Sequence, residues 1–235
     1  MQNKIFAAID TQDPARAADL TAALAGVVSG VKIGLEFFNA NGPDGVRKVA
    51  NTGVPFFLDL KFHDIPNTVA GAIRAAVSLQ PAILNVHASG GAAMMKAAAT
   101  AITESADALG VAKPMLIAVT VLTSLDDDDL AAVGQRGASE EQVVRLAKLT
   151  EDCGLDGVVC SPLEIKAIRT ACNSQFKLVV PGIRPSGADA GDQKRTMTPA
   201  DAINDGADFL IIGRPITTAE DPAEAARTIA ATITP

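Results

Sequence analysis

The residues best suited to chemistry lie in one stretch, Asp59-Leu60-Lys61-Phe62-His63-Asp64, which follows the apolar run Val54-Pro55-Phe56-Phe57-Leu58. If residues 55–61 form a strand, alternation puts Asp59 and Lys61 on one face and Leu58, Leu60 and Phe62 on the other. Asp64 follows where that strand should end, and Pro66 cannot continue a ladder but suits the start of a helix. A second lysine, Lys32, is set between Val31 and Ile33 in another apolar run. Burying a charge costs several kcal/mol unless it is paired, so Lys32, Asp59 and Lys61 form either a structural ion network or a working site. The working site is the favoured reading, because an acid and a base on the otherwise apolar strand ends are not ordinary core.

The elements that must position these groups follow a regular alternation. Strand-like runs are expected at Lys4–Ile9, Val28–Ile33, Val54–Lys61, Ala82–Val86, Pro114–Val119, Gly157–Cys160, Phe176–Val180 and Phe209–Ile212. Helical segments are expected at Pro14–Ala25, Pro43–Asn51, Asn67–Leu79, Ala92–Leu109, Glu140–Cys153, Pro162–Ala171, Pro199–Asp205 and Pro222–Ala231. Eight strand–helix units in 235 residues match a closed parallel barrel, which typically takes about 250. The expected architecture is a single-domain α/β fold, a (β/α)8 TIM barrel over residues 1–235. A doubly wound open sheet is the alternative, weakened because no GxGxxG follows the first strand.

In such a barrel, functional groups gather at the carboxyl ends of the strands. Those ends carry Asp10, Lys32, Asp59, Lys61, His87, Thr120, Thr123 and Arg184, with Gly213-Arg214 after the last strand. A lone His87 or Thr120 reads first as a satisfied structural group, whereas two lysines and two aspartates on buried strand ends do not. Phe209–Ile212 running into Gly213-Arg214-Pro215 fits a phosphate site, with backbone N–H groups at a helix start and an arginine clamp. The long loop Pro181–Met197, carrying Arg184, could close over such a ligand. The acidic run Asp126–Asp129 reads as a solvated face or helix start before it reads as a Mg²⁺ site.

Composition narrows the partners. A net charge of −7 and eight Phe with neither Trp nor Tyr leave no basic or stacking surface for nucleic acid. A hydrophobic content of 48% is ample for a core, and a small molecule is the expected ligand. Cys153, Cys160 and Cys172 are odd in number and lack CxxC spacing, which suits a reducing cytosol. The charge-free stretch Ala75–Met95 is interrupted by Gln80, Pro81, Asn85, His87, Gly90 and Gly91, so no membrane span is expected and a cytoplasmic location is.

Asp59 to Thr68, reading DLKFHDIPNT, resembles the signature of the orotidine 5′-monophosphate decarboxylase family. The resemblance extends over Asp10, Val31-Lys32-Ile33-Gly34, Val119 to Ser124, Pro181-Gly182-Ile183-Arg184, Gln193 and Ile212-Gly213-Arg214. It implies decarboxylation of orotidine 5′-monophosphate (OMP) to UMP and CO₂ without cofactor or metal, in a homodimer with sites at the subunit interface. By the same resemblance Lys61 protonates C6, Asp59 lies beside the substrate carboxylate, and Lys32 holds the array and contacts ribose. Asp10 would bind ribose hydroxyls, and Asp64, Ile65 and Thr68 would reach the neighbouring subunit's site. Gln193, Gly213 and Arg214 would hold phosphate, with Pro181 and Arg184 on the closing loop. The pyrimidine-contacting hydroxyl falls among Thr120, Thr123 and Ser124, with Thr123 assigned to substrate binding. Two rivals stand beside it: a Mg²⁺-dependent decarboxylase or aldolase of sugar phosphates, which would use the same Asp59, Lys61 and Asp64 around a metal, and a non-catalytic nucleotide-phosphate binder, which explains Gly213-Arg214 but gives no reason to bury two lysines beside two aspartates.

Overall fold

Several helices begin where the chain supplies a capping side chain followed by proline. Asp13 accepts from the N–H groups of Ala15 and Arg16 ahead of Pro14, Thr198 from Asp201 ahead of Pro199, and Asp221 from Glu224 ahead of Pro222. A computed structural model of the chain describes residues 3–135, 137–185 and 196–233. Its elements run β1 (Ile5–Ile9), α1 (Pro14–Ala23), β2 (Gly30–Ile33), α2 (Leu35–Ala50), β3 (Phe56–Phe62), α3 (Pro66–Val77), β4 (Ile83–His87) and α4 (Gly91–Leu109). They continue with β5 (Met115–Val119), α5 (Asp127–Ala132), α6 (Ser139–Asp152), β6 (Gly157–Val159), α7 (Ile165–Ala171), β7 (Lys177–Val180), α8 (Pro199–Asp205), β8 (Phe209–Ile212), α9 (Arg214–Thr217) and α10 (Pro222–Ala231).

The eight strands pair in parallel, each with its sequence neighbour, and β1 closes on β8. This is the closed (β/α)8 barrel expected from the alternation. Strand pleating sorts the core into two shells. Phe6, Ala8, Phe57, Ile83, Ile117, Val179 and Ile211 fill the barrel interior, with Phe6 and Phe209 edge to face at 5.4 Å. Their neighbours in sequence, among them Ile5, Ala7, Ile9, Leu58, Leu84 and Leu210, face outward into the layer shared with the helices, as do Val31 and Ile33 on β2. No helix among the described residues is long and apolar enough to cross a membrane.

One segment departs from the sequence expectation, and one ambiguous run is settled in the expected direction. Helical structure begins at Leu35, ahead of the expected start at Pro43, and α2 is two helical pieces joined at a kink, because Gly42 adopts φ 58° and ψ −161°, outside the helical region. Pro43 then opens the second half, where its missing N–H is harmless. The acidic run Asp126–Asp129 is a helix start: Asp126 caps α5 through Asp129 N–H, and the Asp129 side chain accepts from Asp126 N–H in return.

Candidate active site

Lys32 lies on β2 between Val31 and Ile33, both fully buried on the outer side, so its own side chain points into the barrel mouth. Asp59 on β3 faces the same mouth and is only 6% exposed. Its Oδ2 lies 3.4 Å from Lys32 Nζ, and its Oδ1 accepts from Lys61 Nζ at 2.7 Å. Lys32 Nζ is also 3.7 Å from Asp10 Oδ1 at the end of β1. The structure therefore joins Asp10, Lys32, Asp59 and Lys61 in one chain of alternating charge. Burial pushes the Asp59 carboxyl upward, but the charges of Lys32 and Lys61 and the hydrogen bonds from Lys61 and Asn85 outweigh it and hold the group below its ordinary 3.8.

The local backbone of β3 is irregular at this point. Phe57 pairs with Ile83 and Leu58 with Leu84, but the next partners are Phe62 and Val86, so the register slips between them. Lys61 itself has φ 51°, a left-handed conformation rare for a side-chain-bearing residue. Asn85 is a site residue that the sequence reading missed. Fully buried on β4, it accepts from Lys61 N–H through Oδ1 at 2.8 Å and donates through Nδ2 to Asp59 Oδ1 at 2.7 Å. The available signal was a lone amide inside Ile83-Leu84-Asn85-Val86-His87, two residues before His87 and therefore on the same face.

His87 is half-buried beneath the exposed His63, with ring centroids 5.4 Å apart. Burial, together with the charges of His63 and Lys61 and against that of Asp59, lowers the His87 imidazole to about 4. Thr120 is buried and its hydroxyl donates to the Val159 carbonyl at 3.1 Å, a bond that ties β5 to β6. Thr123 is half-buried and Ser124 exposed on the segment beyond.

On the other side of the mouth, Gly213 ends β8 so close to β1 that a β-carbon there would lie 3.5 Å from Ala8 Cβ and 3.8 Å from Asp10 Oδ2. Arg214 follows at the first position of α9 and is exposed. Pro181 and Arg184 are half-buried after β7, where Arg184 N–H donates to the Met197 carbonyl and Met197 N–H to that of Gly182. Those bonds pin the two ends of the loop together. Gln193 lies outside the described residues. Asp64, Ile65 and Thr68 are exposed on the segment entering α3 and stand apart from the array. The Asp64 carboxylate accepts from Ile65 N–H at 2.6 Å. Among the described residues no group of three or more His, Cys, Asp or Glu is placed to hold a metal ion.

Residues 3–229 match the family model described as Orotidine 5'-phosphate decarboxylase / HUMPS family. A Rhodospirillum rubrum protein named orotidine 5'-phosphate decarboxylase is 57% identical over 99% of this chain and 94% of its own length. A Paramagnetospirillum magneticum protein of the same name is 55% identical over 98% of each chain. The solved structure of orotidine 5'-phosphate decarboxylase from Lactobacillus acidophilus superposes with a TM-score of 0.88 at 36% identity, covering both chains completely.

Proposed function

The chain belongs to the orotidine 5'-phosphate decarboxylase / HUMPS family, and on that premise we propose that it is a carboxy-lyase converting OMP to UMP and CO₂, the last step of de novo UMP synthesis. The observation that carries the reading is the nearly buried Asp59 carboxylate held between two ammonium groups, 2.7 Å from Lys61 and 3.4 Å from Lys32.

In the proposed reaction the bond between C6 and the carboxylate breaks, CO₂ leaves, and the electron pair stays on C6. No ring position delocalises that pair well, so fixed charge must stabilise it. Lys61 lies beside C6, favours the growing carbanion over the more distant carboxylate, and transfers an Nζ proton to C6; solvent returns the proton. Asp59 holds the Lys61 ammonium in place and sits beside the departing carboxylate, and Lys32 anchors Asp59 from the far side and contacts ribose. Asp10 binds ribose hydroxyls and Thr123 the pyrimidine. Gly213, Arg214 and Gln193 hold phosphate, with Pro181 and Arg184 on the loop that closes. Phosphate binding far from the reacting bond drives that closure, so remote binding energy is used for rate.

The active form in this proposal is a homodimer in the cytoplasm, in which Asp64, Ile65 and Thr68 of one subunit complete the site of the other. The test is an ultraviolet assay of OMP conversion with and without EDTA. Activity should be unchanged by EDTA, and Lys61→Ala should stay folded and bind UMP but lose several orders of magnitude in turnover. Near wild-type turnover by that variant would overturn the proposal, and loss of activity in EDTA would favour metal-dependent sugar-phosphate chemistry. Specific activity should also fall when the protein is diluted below its dimerisation range.

A further inference from the structure

We propose that Asn85 is a positioning residue for this reaction, its carboxamide fixing Asp59 and Lys61 relative to each other where the β3–β4 ladder is broken. The inference rests on the decarboxylase reading above.

Between the pairs Leu58–Leu84 and Phe62–Val86, β3 advances four residues while β4 advances two. The extra residues bring Asp59 and Lys61 into the mouth, but they also deprive this part of β3 of its regular backbone partners. Lys61 is in addition one of two non-glycine residues with positive φ among those described, a conformation that crowds an L side chain against its own backbone. A Lys61 so placed needs an outside restraint, and its backbone N–H finds one in Asn85 Oδ1 at 2.8 Å.

The chemistry of the contacts fixes which way the amide faces. A backbone N–H only donates and a carboxylate only accepts, so Oδ1 must meet Lys61 N–H and Nδ2 must meet Asp59. Asp59 Oδ1 thereby receives both Asn85 Nδ2 and Lys61 Nζ, each at 2.7 Å, which leaves Oδ2 turned toward Lys32. Asn85 is fully buried, with Ile83 below it in the apolar interior and His87 above it on the same face of β4. A shorter side chain would not span the two partners, an apolar one would leave Lys61 N–H without an acceptor, and an ionised carboxylate would face that of Asp59 at hydrogen-bond range.

The test compares wild type, Asn85→Ala and Asn85→Asp in OMP turnover, UMP binding and thermal melting. Asn85→Ala should lower kcat by about a hundredfold, the scale set by misplacing a reacting group by an ångström. Its affinity for UMP should stay within about threefold, because ribose and phosphate are held elsewhere in the mouth. Asn85→Asp keeps the shape and becomes a functional mimic only when the two carboxyls share a proton, the neutral acid then donating to Asp59 while accepting from Lys61 N–H. Its kcat relative to wild type should therefore climb as pH falls from 8 to 5, with Lys32, Lys61, His63 and His87 the other ionisable groups near the pair. A folded Asn85→Ala with kcat within threefold of wild type, equal losses in kcat and UMP affinity, or an Asn85→Asp to wild-type ratio that is flat with pH would each overturn the positioning role. If Asn85→Ala does not fold, the Asn85→Asp pH profile decides. Failure of the wild type itself to convert OMP would overturn the decarboxylase reading, which separates the two outcomes.

Discussion

Asp59→Asn removes the central charge of the array while nearly preserving its shape. The carboxylate has two cations at 2.7 and 3.4 Å, and its side chain is 9% exposed. At an effective dielectric of about 20, those separations correspond to attractions of roughly 6 and 5 kcal/mol. Desolvation of the ions offsets several kcal/mol each, so the measurable quantity is the penalty for leaving two lysines together with no anion between them, about 3–5 kcal/mol. In a domain of this size about 1 kcal/mol moves the melting midpoint by about 2–4 °C, so the midpoint near neutral pH should drop by about 6–20 °C. The pH dependence has a definite sign. The folded-state carboxyl is held below its ordinary 3.8, so its contribution is complete above that value and is lost as pH falls through the lower, folded-state value. Urea unfolding at a series of pH values should therefore show the wild type well above Asp59→Asn at pH 6–7, with the gap narrowing below 3.8. Turnover should drop by about a hundred- to a thousandfold or more wherever both proteins are folded. A variant as stable as wild type at neutral pH, or a gap that does not narrow in acid, would refute the account of Asp59 as a paired, charged group.

Acid should also act through His87. The folded imidazole titrates near 4 against an ordinary 6.5, so the unfolded chain takes up this proton first and stability should decline as pH drops from 6.5 toward 4. His87→Gln should flatten that part of the unfolding profile, and an unchanged slope would count against it. Arg214→Ala should raise KM for OMP by about ten- to a hundredfold, the scale of one charge-assisted hydrogen bond, with kcat affected less; a wild-type KM would remove Arg214 from the phosphate site. Gly30→Ala would put a β-carbon 2.5 Å from both the Phe6 ring and the Pro55 carbonyl, and should destabilise by about 1–3 kcal/mol in urea unfolding without altering KM.

The parts of the molecule that follow from periodicity were legible in the sequence. Val31 and Ile33 flanking Lys32 define an inward lysine, and Leu58 and Leu60 flanking Asp59 define an inward aspartate; the structure brings both into contact. Lys61 was placed correctly for an incomplete reason. Alternation put it with Asp59, but the observed contact is made across a register slip and a left-handed φ that alternation does not contain. Asn85 was illegible because its role is a long-range one: a polar residue in an apolar strand signals a buried hydrogen bond but not its partners, here 24 and 26 residues away. Gly42-Pro43 punctuates the chain as such a pair ordinarily does, and the helical piece ahead of it, from Leu35, carries no start signal of its own because Gly34 supplies no capping side chain.

Stability and chemistry occupy different levels of the same barrel. The lower interior is apolar, built from Phe6, Ala8, Phe57, Ile83, Ile117, Val179 and Ile211, and asks nothing of the residues above it except a floor from which water is excluded. Asp59 and Asn85 stand one pleat higher than Phe57 and Ile83 on β3 and β4, and Lys32 joins them from β2, each on an inward position that an apolar side chain could fill. Buried ion pairs are generally no more stabilising than well-packed apolar residues of similar volume, so packing alone gives no reason for this layer. The reason lies in what the layer does to an arriving ligand. Two cations fixed on one anion, with Asn85 also donating to it, leave little freedom for the charges to rearrange, so in the proposed reaction their field would already be oriented when the substrate carboxylate enters. That is also why the break in the β3–β4 ladder belongs to the site. A regular β3 would carry Lys61 upward along the barrel wall, whereas the slipped register and the left-handed turn at Lys61 bring its Nζ back to 2.7 Å from Asp59.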